Sequence, residues 1–142
     1  MVKARLIRGS GIAARHAVQR DPNVFRVAPL LDGETLRLVV YGELDLASAV
    51  EFAEAIASAE RRDPRRLVLD LSWLRFLDAT CLRIMLGAAK RAHASGRGFA
   101  VANPPAAIAR LFRLTAIDQT VDMTSEQCTG TPLGGIPTPN FG

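Results

Sequence analysis

The run Leu67–Leu71 (LVLDL) constrains the fold more than any other stretch, because four of its five residues are apolar and none is glycine or proline. A strand with one wet face alternates apolar and polar side chains. A near-continuous apolar run instead marks an interior parallel strand buried on both faces. Parallel strands need crossovers, and the flanking sequence supplies helical patterns for them. Upstream, Leu46, Ala49, Val50, Ala53, Ile56 and Ala57 recur at spacings of three and four, with Glu51, Glu54 and Glu60 on the other side. Asp45 is a candidate N-cap for that helix. Arg61, Arg62, Arg65 and Arg66 gather near its C-terminus, where positive charge suits the dipole, and Pro64 closes it. Downstream, Leu74–Leu77 continues as a short extended piece. A helix then starts near Thr80, carries Leu82, Met85, Leu86 and Ala89 to His93, and stops at Ser95-Gly96.

Two strands precede this unit. Val24–Leu31 and Thr35–Tyr41 read as an antiparallel pair around Asp32-Gly33-Glu34, where a glycine after Asp offers the positive φ of a tight hairpin. Gly42 ends the second strand. Phe99–Val101 forms another core strand, Asn103-Pro104-Pro105 turns the chain, and a further helix puts Ile108, Leu111, Phe112 and Leu114 on one face. Thr120–Met123 is short enough for a last strand. The order β-β-α-β-α-β-α-(β) makes this an α/β chain: a single domain with a mixed sheet of four to five strands, helices packed on it and right-handed crossovers. Residues 24–123 make that domain, residues 1–23 a basic flexible arm, and residues 124–142, rich in Gly, Pro and Thr, a disordered tail.

Charge decides which partners fit. The 142-residue chain carries 18 basic and 14 acidic residues, a formal +4. Five of those bases, Lys3, Arg5, Arg8, Arg15 and Arg20, fall in the first twenty residues with no acid among them. The remaining 13 bases against 14 acids leave residues 21–142 at −1. The arm suits phosphates or an acidic partner, and a solvated tail is the plainer reading. A 6% aromatic content is too low for a base-stacking platform, so nucleic acid is not the expected partner of the domain. Two histidines and two distant cysteines, Cys81 and Cys128, suggest neither a metal site nor a disulfide framework. No apolar run approaches the ~20 residues of a membrane span, and the expected location is cytoplasmic.

The chemistry gathers at Asp78-Ala79-Thr80-Cys81, between the buried strand and its helix. A helix N-terminus presents unpaired amides and a positive dipole end, so it favours anionic groups. The carboxyl end of a parallel strand is also where function concentrates in open α/β sheets. Thr80 there either carries a phosphate, adding ~1.5 to 2 negative charges, or serves only as the N-cap, the plainer reading from local physics. Cys81 at a helix start has a lowered pKa if it is reactive, while a passive small side chain is the simpler role. Trp73 and Phe76 flank the loop as a candidate apolar contact, with core packing the default for Phe76. His93 reads as a surface residue near a helix end. No nucleophile beside a base and no paired acid and base stand out, so the chain is not expected to be an enzyme or to need a cofactor.

Three segments in order carry a family resemblance: Gly42-Glu43-Leu44-Asp45, then LVLDLSWLRFLDATCL, then Asn103-Pro104-Pro105 through Ile108, Leu111-Phe112, Leu114 and Ile117-Asp118. From about Val24 to Met123 the chain resembles the STAS domain family, which includes bacterial anti-sigma factor antagonists. In those antagonists the central loop usually reads Asp-Ser-Ser-Gly-Leu, and the partner anti-sigma factor, a serine kinase, phosphorylates the second Ser. The resemblance puts Asp78 at the acid, Ala79 at the first Ser, Thr80 at the phosphorylated position, Cys81 at the Gly and Leu82 at the Leu. It implies a partner-binding surface of Glu43, Asp45, Asp78, Ala79, Thr80, Cys81, Leu82 and Arg83, and an anti-sigma factor kinase as the partner. Cys81 in place of Gly is then expected to add a Cβ where the partner approaches. The alternative is a STAS-like module without phosphorylation, a scaffold or a binder of a small ligand or nucleotide. Self-association into a homodimer stays open.

Overall fold

The computed structural model describes residues 21–127 and 130–133. Strands β1 (Arg26–Asp32) and β2 (Thr35–Leu44) form the antiparallel hairpin, with Gly33 at φ 63° in its turn. Helix α1 (Ala49–Arg61), strand β3 (Arg66–Leu77), helix α2 (Ala79–Ser95), strand β4 (Gly98–Ala102), helix α3 (Ala106–Leu114) and strand β5 (Asp122–Thr124) follow. Strands β2, β3, β4 and β5 are mutually parallel. A two-residue strand, β6 (Thr131–Pro132), pairs antiparallel with β1, giving the order β5-β4-β3-β2-β1-β6.

The sheet thus has six strands, one more than the upper expectation. The sixth lies in the stretch read as a disordered tail, and that reading does not hold for Thr131–Pro132. The pairing that orders them is with Leu30 and Leu31, a hundred residues away in the chain, so no local pattern announces it. Of the arm at residues 1–23, residues 1–20 lie outside the described residues, as do Cys128 and the tail beyond 133, while the Asn23 carbonyl accepts from the Glu43 amide at 3.1 Å.

Strand alternation explains the layering. Leu36, Leu38 and Val40 of β2, Leu67, Leu69 and Leu71 of β3, and Phe99 and Val101 of β4 share one core with all three helices. Phe52 and Ile56 of α1, Met85 of α2 and Phe112 of α3 are its largest helical contributors. On the other face lie Ala28, Leu30, Val39 and Tyr41, and separately Val68, Ala100 and Ala102. The apolar runs are therefore buried on both faces, as interior parallel strands require, while the described helices cover only one.

Three local expectations change. Gly42 does not end β2: it sits inside the strand at φ 89°, where a Cβ would run into the Val24 carbonyl, and the register with β3 shifts on either side of it. Helix α1 starts at Ala49, not Leu46, and Ser48 rather than Asp45 holds the cap position. Its buried stripe is Ala49, Phe52, Ile56 and Ala59, so Leu46 and Val50, placed in the core from their spacing, are 73% and 68% exposed. In α3, Ile108 and Phe112 are buried and Leu114 is exposed. Helix α2 ends as read, with Gly96 left-handed at φ 73°.

Candidate functional site

Two turns meet at the carboxyl edge of β2 and β3. The Asp78 amide donates to the Leu44 carbonyl (2.9 Å), tying the end of β3 to the end of β2. In the first turn, Asp45 and Ser48 hold each other. The Ser48 amide donates to Asp45 Oδ1 (3.1 Å), the Asp45 amide donates to Ser48 Oγ (3.0 Å), and Ser48 Oγ donates to the Glu43 carbonyl (2.9 Å). Asp45 thus builds the turn ahead of α1 instead of capping it.

In the second turn, Asp78 takes the role that local physics gave to Thr80. Its backbone is extended (φ −98°, ψ 174°) and its Oδ1 accepts from the Cys81 amide at 3.0 Å, satisfying one orphan donor of α2. Thr80 is the second residue of the helix, so its hydroxyl is not the cap. Ala79 and Arg83 are exposed, and Thr80, Glu43, Asp45 and Asp78 are partly exposed.

Cys81 and Leu82 point the other way. Both are buried, and Cys81 Sγ donates to the Asp45 carbonyl at 3.5 Å, bridging the two turns from beneath. The Cys81 thiol is pushed up to about 12, first by burial and then by the charge and hydrogen bond of Asp78 and the charge of Asp45. Desolvation and two nearby carboxylates outweigh the helix dipole that was expected to lower it. The reactive reading of Cys81 is overturned. So is the expectation that its Cβ obstructs a partner, because the side chain lies under the surface and not on it.

Phe76 is 48% exposed, contrary to its default place in the core, and pairs in register with Glu43 at this edge. With Leu46 and Val50 it adds apolar area that sequence spacing assigned to the interior. The signal that could have found it was Phe52, whose bulk makes the Ala49/Phe52/Ile56 stripe the better core face. Trp73 belongs elsewhere. It stacks on Tyr41 (centroids 6.5 Å apart, 18° between planes), whose ring also carries the Arg26 guanidinium at 5.1 Å. His93 is exposed near the far end of α2. Among the described residues no group of three His, Cys, Asp or Glu is placed to hold a metal ion, and no helix is long and apolar enough to cross a membrane.

A mixed sheet with the three described helices on one face, and a carboxylate-capped helix start where β2 and β3 end, define a small α/β domain of the STAS type. The family model described as "Mlab, STAS domain" matches residues 27–125, and the chain belongs to the STAS family. Among solved structures it is similar to an anti-sigma factor antagonist from Mycobacterium paratuberculosis, at 25% identity and a TM-score of 0.69, over 75% of this chain and 90% of that one. It shares its fold with the anti-sigma factor antagonist SpoIIAA in its unphosphorylated form, at 18% identity and a TM-score of 0.60, over 72% of this chain and 90% of that one. The phosphorylated form of the Bacillus cell fate determinant SpoIIAA matches with a TM-score of 0.57 at 18% identity, over 72% of this chain and 93% of that one.

Proposed function

We propose that this chain is an anti-sigma factor antagonist: a cytoplasmic binding module, acting without catalysis, that captures a kinase-like anti-sigma factor and is switched off by phosphorylation at Thr80. The observation that carries the reading is the position of Thr80, partly exposed in the first turn of α2 beside a cap that Asp78 already supplies. A hydroxyl not needed for capping is available for modification. The contact surface would comprise Glu43, Asp45, Asp78, Ala79, Thr80 and Arg83, with exposed Leu46, Val50 and Phe76 as its apolar part. Cys81 and Leu82 would support it from below.

A phosphate on Thr80 would be drawn to the α2 N-terminus by the helix dipole, yet it would join Asp78, Asp45 and Glu43 on one edge. A partner docking there would then have to desolvate several like charges, and such juxtaposition costs several kcal/mol. Incubation with ATP and the candidate anti-sigma kinase, followed by phosphosite mapping by mass spectrometry, tests the switch. Phosphate at Thr80 is expected. Its absence, together with unchanged binding by Thr80→Glu, would turn the reading to a constitutive scaffold.

A further inference from the structure

At the other end of the sheet, between its outer strands and α1, lies an apolar cavity of about 250 Å³. Leu36 and Leu38 of β2 line it on one side and Ala55 and Ala59 of α1 on the other, where a larger side chain would fill the space. Deeper along the same helix, Phe52 and Ile56 close the gap completely. Leu133, just after β6, forms a side wall and is held there by its amide donating to the Pro29 carbonyl (3.1 Å).

Arg62 lines the cavity and is itself exposed, so a cationic side chain borders it. Three carboxylates near this end pair with other arginines: Glu34 with Arg65, Glu60 with Arg91 and Asp63 with Arg97. Arg62 makes no ion pair among the described residues and puts a positive charge beside the apolar cavity. The volume falls below the ~300–1,000 Å³ of sites for drug-sized molecules, which favours one slender chain over a ring system.

We propose that this cavity binds a free medium-chain carboxylate, its alkyl chain between β2 and α1 and its carboxylate on Arg62. The site lies at the opposite end of β2 from Thr80 and does not rest on the phosphorylation switch. Calorimetric titration of the full chain with hexanoate, octanoate and decanoate below their micellar concentrations tests it. One saturable site is expected, tightening about tenfold for each two methylenes until the cavity is full. Octan-1-ol should bind several-fold more weakly than octanoate, and Arg62→Gln should erase that difference. Ala59→Phe should abolish binding by filling the cavity; if that variant fails to fold, Ala55→Leu should weaken binding at least tenfold. No saturable binding of decanoate at millimolar concentration overturns the site, as does parent affinity in folded cavity-filling variants. Equal affinity for octanol and octanoate overturns the role of Arg62.

Discussion

The carboxyl edge of the sheet and the face that the described helices leave uncovered use carboxylates in opposite ways. At the edge, Asp45 and Asp78 accept from backbone amides and meet no arginine in an ion pair among the described residues. On that second face, Asp70 is fully buried and takes Arg37 at 2.7 Å, with the Ser72 amide and hydroxyl on its other oxygen. Glu126 then bridges Arg37 (3.1 Å) and Arg66 (2.6 Å). Charges neutralised in pairs hold a structure together. Carboxylates spent on backbone amides shape turns, and under the proposed function they would make the edge sensitive to one more anion. The difference separates what the fold needs from what the site offers.

The largest effect is expected at Asp70. Asp70→Ala leaves buried Arg37 with only the one-third-exposed Glu126 as an ion-pair partner, and losing one member of a buried pair costs up to about 3–5 kcal/mol. Urea unfolding should show it, and a loss under ~1 kcal/mol would break the distinction between face and edge. Cys81 sharpens the contrast chemically. With its thiol held up at about 12 it should react with iodoacetamide near neutral pH about a thousandfold more slowly than a free thiol of ordinary pKa. Reaction at the free-thiol rate would mean that the thiol is not buried between the turns.

Asp78→Ala should cost about 1 kcal/mol, the worth of a helix cap, visible as a lower urea midpoint. Glu126→Gln should cost less than ~1 kcal/mol, because Glu126 and Arg66 are both about one-third exposed and solvent screens them. Its pH dependence has a definite sign. The hydrogen bond from Arg66 holds the Glu126 carboxyl below its usual range, against a smaller opposing effect of burial. Its stabilisation is therefore complete above the unfolded-state pKa and is lost as pH falls through the lower folded value. The variant's deficit should shrink in acid, and a deficit that grows there would remove Glu126 from the network. Leu46→Ser should change stability by no more than ~0.5 kcal/mol, as exposed sites do, while weakening anti-sigma factor binding. A large stability loss would return Leu46 to the core.

Much of the frame was legible in local pattern. LVLDL announced an interior strand, Gly33 a hairpin turn and Gly96 a helix stop, because each depends on backbone physics within a few residues. What stayed hidden depends on distant partners. Thr131–Pro132 becomes a strand only because β1 has an open edge, and nothing around Glu126 says that Arg37 and Arg66 wait for it. Spacing also could not choose between two overlapping apolar stripes on α1. Leu46 and Val50 were read inward, where the bulk of Phe52 turns the helix the other way. At the site, the position of Thr80 beyond an acidic cap follows from Asp78 being the residue with extended backbone. Cys81 faces in because it lies on the buried stripe of α2 with Leu82, Met85, Ala88 and Ala92, and its thiol then reaches the Asp45 carbonyl, thirty-six residues away.

The most direct measurement compares the affinity of the anti-sigma factor proposed as partner for the unmodified chain and for chain fully phosphorylated at Thr80, at equal ionic strength. The negative edge predicts a loss of at least tenfold on phosphorylation, with Thr80→Ala binding like the unmodified protein. Equal affinity for the phosphorylated and unmodified forms would contradict a switch at Thr80.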